Sequence, residues 1–182
     1  MRRAFPLASI AALCWAASTS ASAPQDEVSE ARLKADVDRL VAFGTRHTLS
    51  SQDDPKRGIG AARRWAESRF QSLSKDCGGC LTVELPEAIV QGARIPDPVR
   101  LIDVLAVQKG TDRPGEVVII SAHIDSRASD GMDAATDTPG ANDDGSGTVA
   151  VLEAARVLSQ HRFPSTIVYA VLSGEEQGLY GG

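Results

Sequence analysis

Apolar residues along this chain first recur at helical spacing and later gather into strand-length runs. Over residues 26–43, Leu33, Val37, Leu40 and Val41 share one face and Gly44 follows as a stop, which predicts a helix. A second helix is predicted over residues 59–74, burying Ile59, Ala62, Ala66, Phe70 and Leu73 with its arginines toward solvent. From residue 81 the period changes. Residues 81–85 alternate, residues 101–107 form a second strand, and residues 109–115 read as a turn. Val117, Val118, Ile119 and Ile120 make residues 116–122 almost continuously apolar, as in a strand buried on both faces. Residues 126–140 are a polar loop. Residues 146–160 carry Val151, Ala154, Ala155 and Leu158 at helical spacing, and residues 165–172 are another apolar strand. Strand, loop, helix and strand in that order make a βαβ crossover, so the expected fold is α/β, with a mostly parallel mixed sheet and flanking helices.

Composition adds bounds to this picture. The 182 residues suffice for one domain with its own core. Arg2 and Arg3 precede an apolar stretch over residues 7–17 that is too short to span a bilayer, and small residues follow it. That is the pattern of a signal peptide cleaved after Ala21. It predicts export to the periplasm or the medium without a stable membrane anchor. The expected domain then runs over residues 22–182, helical to about residue 75 and sheet-bearing from about residue 81. Without Arg2 and Arg3 the chain keeps 17 basic against 24 acidic residues, a net charge of −7, which argues against a nucleic-acid partner. In an exported chain, Cys77 and Cys80 predict a local disulfide closing the turn before the first strand. The strand and helix of a thioredoxin-type pair are missing around them, and a zinc knuckle would need a second ligand pair.

Three clusters of candidate chemistry lie where strands end or a helix begins. His123 and Asp125 are two apart, so on a strand both side chains point to one face. The carboxylate can take the proton of one imidazole nitrogen and leave the other for a metal; a core histidine satisfied by an aspartate is the alternative. Asn142-Asp143-Asp144 sits in a glycine-flanked loop before a helix. Asp144 or Ser146 can cap that helix, leaving Asp143 either solvated or free to bind a cation. Glu175-Glu176 follows the last strand, where neighbouring side chains diverge. One can ligate while the other serves as a base, unless both simply form a solvated acidic turn. Three such clusters in one βαβ unit, with no balancing basic cluster, make a cation the simplest neutraliser.

Ala122-His123-Ile124-Asp125-Ser126, the loop over residues 139–147 and Gly174-Glu175-Glu176-Gln177-Gly178-Leu179 together resemble the bacterial leucyl aminopeptidase family of co-catalytic zinc exopeptidases. Gly44-Thr45-Arg46-His47-Thr48 is similar to that family's N-terminal segment, so the resemblance covers roughly residues 33–182. It implies a three-layer zinc exopeptidase fold and a site for two Zn2+ ions. His123 would bind one ion, Glu176 the other, and Asp143 would bridge them, with Asp125 orienting His123 and Glu175 as general base. The substrates implied are peptides or proteins with a free N-terminus. The resemblance also implies a non-proline cis peptide at Asp143-Asp144. The family's remaining acidic and histidine ligands come from beyond the Glu-Glu motif, so the chain to Gly182 is expected to be a fragment of negligible turnover. His161 is expected to be solvated and His47 structural. Carboxypeptidases and glutaminyl cyclases share the scaffold and stand as alternatives, as does a chain without catalysis.

Overall fold

The computed structural model of the protein describes residues 22–181, so the signal peptide expected over residues 1–21 lies outside the described residues. A short 3-10 turn, Pro24–Glu27, leads into helix α1, Glu30–Val41. The helix begins later than the sequence pattern suggests because Ser29 is extended. Its N–H is taken by Glu153 at 2.7 Å, while its hydroxyl accepts from Arg32. Helix α2, Gly58–Asp76, buries Ile59, Ala62, Ala66, Phe70 and Leu73, as its apolar stripe predicts. Its arginines divide. Arg64 is exposed and Arg69 half-buried against Asp36, but Arg63 is only 7% exposed, correcting the expectation that all face solvent. Arg63 lies four residues after Ile59 and seven before Phe70, which places it on the buried stripe itself. Cys77 and Cys80 at the end of α2 are joined as a disulfide, with 5.6 Å between their Cα atoms.

The strands are β1 (Leu81–Glu84), β2 (Glu87–Gly92), β3 (Ile95–Ile102), β4 (Val104–Gln108) and β5 (Arg113–His123). Helix α3 (Gly147–Leu158) and β6 (Ser165–Leu172) are the remaining described elements, and residues 126–140 are the expected irregular loop. The main sheet has the order β1-β4-β6-β5, and β2 and β3 pair as a separate hairpin. That hairpin is not foreshadowed in the sequence, because its positions are mostly exposed and Pro96 and Pro98 interrupt any alternation. The single strand expected over residues 101–107 is in fact the junction of β3 and β4, which belong to different sheets.

The mixed sheet with flanking helices is as expected, while the balance of pairing is not. Among the described residues only β5 and β6 pair in parallel; β1–β4, β4–β6 and β2–β3 are antiparallel. Helix α3 packs on β5 and β6, α2 packs on β1 and β4, and both α1 and α2 pack on α3. All three helices therefore share one face among the described residues. This leaves Val117, Val118 and Ile119 of β5 more than half exposed, where the sequence predicts burial on both sides. No strand pairs with the outer edge of β5 among the described residues. None of the described helices is long and apolar enough to cross a membrane.

Asp103 holds the break between β3 and β4. Its N–H donates to Pro86 O, and its carboxylate accepts the Ser173 N–H at 2.7 Å. Burial pushes its carboxyl from 3.8 up to about 6, against the Ser173 N–H bond and the Arg63 charge. Between those two pH values the folded chain binds more protons than the unfolded chain, so this group's contribution to stability falls as pH rises. Asp103→Asn keeps an acceptor for Ser173 without the charge. It is expected to stabilise the fold by roughly 1 kcal/mol at neutral pH, after discounting for solvent screening, and by nothing near pH 4. Urea unfolding at the two pH values measures this; an equal effect at both would mean burial of the charge is not the cause.

Candidate metal centre

The last residues of the parallel pair, His123 on β5 and Leu172 on β6, are register partners. The chain leaving β6 therefore carries Glu175 and Glu176 to the rim where His123 stands. Carboxyl ends of adjacent parallel strands are where such sheets hold ligands. Gly174 allows the turn: it has φ 82°, and a Cβ there would run into Leu101 Cδ1.

Asp125 lies just past β5 and is fully buried. The Nδ1 of His123 faces its backbone oxygen at 3.2 Å and its Oδ1 at 3.5 Å, which turns Nε2 outward. The same carboxylate accepts the N–H groups of Glu175 at 3.3 Å and Glu176 at 3.1 Å, and the Thr48 hydroxyl at 3.1 Å. One buried aspartate thus holds both the histidine and the glutamate turn. Burial pulls the His123 imidazole down, but the hydrogen bond and charge of Asp125, then the charges of Glu175 and Asp144, outweigh it and push the pKa up to about 9. An imidazole ligates only after losing that proton, so uptake of a cation releases it.

The two adjacent aspartates have different tasks. Asp144 accepts the Gly147 N–H at 2.9 Å at the start of α3 and the His123 N–H at 3.2 Å, so it joins helix to strand. Asp143 leaves helical backbone angles (φ −108°, ψ 103°) inside the segment Ala141–Ser146, and its side chain is 77% exposed. It points Oδ1 to within 3.3 Å of His123 Nε2. The Asp143-Asp144 peptide is cis. Glu175 Oε2 lies 3.7 Å from the same Nε2. Glu176 is turned aside, its carboxylate 2.9 Å from Arg127 Nε. Burial raises its pKa, and the Asp143 charge adds to that against Arg127.

Several residues of this neighbourhood carry no signal that their own spacing reveals. The side chain of Arg46 is completely buried and donates to Ile124 O, Leu40 O, Pro139 O and Gly140 O at 2.7–3.1 Å. It gathers the end of α1, the end of β5 and the loop before Asp143 around one guanidinium. The contacts of Arg127, Thr48 and Gln177 likewise become visible only in three dimensions. His47 is structural, as expected: it is buried, its Nδ1 accepts from Leu49 N–H, and its Nε2 lies 3.0 Å from Gly131 O. His161 departs from expectation. It is half-buried beside Glu27, following the C-terminal end of α3, and is only partly solvated.

The donor set can be tested for fit to a zinc ion. Bonds of about 2.0–2.1 Å in a tetrahedral site put neighbouring ligand atoms about 3.3 Å apart. The Nε2 of His123 and Oδ1 of Asp143 stand at that spacing, 3.3 Å. Among the described residues no three His, Cys, Asp or Glu side chains close together as a ready-made metal cage. Glu176 is instead paired with Arg127. The pair fits one shared ion, and the Asp143 side chain around it is largely exposed.

The fold is that of zinc-dependent exopeptidases. The Legionella pneumophila LapA aminopeptidase superposes with a TM-score of 0.65 at 23% identity, over 87% of this chain and 38% of that one. The Fimbriiglobus ruber glutaminyl cyclase gives a TM-score of 0.65 at 18% identity, over 86% of this chain and 51% of that one. Residues 103–182, which contain His123, Asp125, Asp143, Glu175 and Glu176, match the model of peptidase family M28. The chain is also 48% identical over 157 residues to a probable zinc metalloprotease of Pyricularia oryzae, covering 85% of this chain and 31% of that protein. It spans about a third of the length of the curated relatives it matches. Those relatives are fungal, so they support the metallopeptidase family without singling out its bacterial leucyl aminopeptidases.

Proposed function

We propose that the protein is an exported zinc-dependent aminopeptidase that removes N-terminal residues from peptides. The observation that carries this reading is the 3.3 Å approach of His123 Nε2 and Asp143 Oδ1, with Glu175 Oε2 at 3.7 Å from the same nitrogen. In a complete site His123 would hold one zinc ion, Glu176 a second, and Asp143 both. Bound zinc lowers the pKa of water and polarises a carbonyl. Asp125 keeps the His123 ring turned outward and fixes the backbone of both glutamates. Glu175, with its side chain 39% exposed, is free to take the proton of the attacking water and hand it to the leaving amine. The acidic rim of Asp143, Glu175 and Glu176 favours an α-ammonium group, which supports a substrate with a free N-terminus.

His123 Nε2 and Asp143 Oδ1 stand 3.3 Å apart, and as the two proposed ligands by themselves they are expected to hold an ion weakly. Asp143→Ala is expected to abolish zinc retention in the protein expressed from its own gene, read as metal per chain after dialysis; a mutant that keeps two ions would refute the bridging role. The reaction itself is tested with paired aminoacyl-nitroanilides, one free and one acetylated at the N-terminus. Release of nitroaniline from the free substrate alone is the expected result. Equal cleavage of both would contradict an aminopeptidase, and cyclisation of a glutaminyl peptide without hydrolysis would transfer the site to the glutaminyl cyclase reaction.

A further inference from the structure

The β2–β3 hairpin leans on the glutamate turn from its base to its tip. At the base, Asp103 accepts the Ser173 N–H at 2.7 Å, and Ile102 O accepts the Ser173 hydroxyl at 2.8 Å. Further along β3, Leu101 is buried, and its Cδ1 fills the space that a Cβ on Gly174 would need. At the tip, β2 ends on Gly92, and the bend Ala93-Arg94 leads to Ile95, which is completely buried. Arg94 Nη1 donates to Glu176 O at 3.2 Å. The Tyr180 hydroxyl stands so close to Gly92 that a Cβ there would overlap it. A two-stranded hairpin is marginal by itself in water, so contacts of this kind decide where it sits.

The tip contact completes the fixing of one residue. The Glu176 N–H, which belongs to the peptide plane before its Cα, is held by the buried Asp125 at 3.1 Å. The Glu176 oxygen, which belongs to the plane after its Cα, is held by Arg94. With both planes fixed, the direction of the Cα–Cβ bond is set and only side-chain rotations remain for the carboxylate. Glu175 is held differently. Asp125 takes its N–H, but its oxygen accepts the N–H groups of Gly178 and Leu179, within the turn itself. The hairpin tip therefore bears on Glu176, the proposed ligand, and not on the proposed base.

We propose that the β2–β3 hairpin is a brace for the metal centre, with Arg94 as a positioning residue that aims Glu176. The inference rests on the reading of Glu176 as a zinc ligand. It is tested by titrating zinc, against a competing chelator, into the metal-free protein expressed from its own gene. Arg94→Ala is expected to weaken one of the two ions about tenfold, leaving the other ion and the urea midpoint unchanged. Arg94→Lys keeps a donor and is expected to recover most of the loss. Gly92→Val drives a side chain against the Tyr180 hydroxyl, so it is expected to unseat the tip and give the same selective loss with Arg94 intact. Equal weakening of both ions, or unchanged affinity for both, overturns the positioning role. A second readout needs no metal. In the metal-free Arg94→Ala protein the amides of Gly178, Leu179 and Tyr180 are expected to exchange hydrogen several-fold faster, and unchanged exchange overturns the brace. Uptake of fewer than two ions by the unmodified protein counts against the two-zinc reading instead, and the exchange rates then decide the role of the hairpin.

Discussion

Glu175→Gln is expected to lower turnover about 10³-fold in the protein expressed from its own gene while leaving its zinc content unchanged. In the proposed site the residue would serve proton transfer and not metal binding. Its Oε2 is 3.7 Å from His123 Nε2, its side chain is part-exposed, and its N–H is fixed by the buried Asp125. Glutamine preserves the size, the backbone anchor and one acceptor oxygen, but it cannot take up a proton. Steady-state kinetics beside metal analysis separates the two roles. Loss of zinc in this variant would make Glu175 a ligand, and undiminished turnover would remove it as the base.

Arg46→Met should destabilise the fold by about 3–5 kcal/mol, comparable with breaking a buried ion pair. Arg46 is a single cation serving four carbonyl oxygens from three separate parts of the chain. Burial lowers its pKa to about 10, opposed by the charges of Asp125 and Asp144, so it stays charged at neutral pH. Methionine fills much of the volume yet leaves those oxygens without donors. Lysine keeps the charge but not the planar fork, so Arg46→Lys should recover only part of the loss. Gly140, whose oxygen Arg46 holds, comes three residues before Asp143, so both variants should also weaken zinc binding. Urea unfolding of the metal-free protein gives the first effect and zinc titration the second. Full stability in Arg46→Met would show that water replaces the guanidinium.

How much of this could be seen in advance depends on how far apart the interacting groups lie. The apolar stripe of α2, the runs that became β5 and β6, and the crossover through α3 follow from residue spacing alone, because period is a local property. So does the placement of His123, Asp143 and Glu175 near the ends of strands or the start of a helix. The break at Asp103 was hidden because it depends on Pro86 and Ser173, and Ser173 lies 70 residues on. Arg63 sat within the apolar stripe of α2, yet its charge suggested solvent. The exposure of β5 depends on which neighbours a sheet has, and its own residues do not state that.

The sequence by itself determined the class of chemistry: one imidazole and several carboxylates, in order, after strands of a βαβ unit. Tertiary structure alone decided the division of labour among them. It set Asp143 against His123 Nε2, gave Asp144 to the start of α3, and turned Glu176 to Arg127. It also made Asp125 the shared anchor and Arg46 the clamp around which three distant segments meet. The physical reason is that a side chain's type fixes what it can bond, whereas its partner is whatever the packed chain brings within about 3 Å of it.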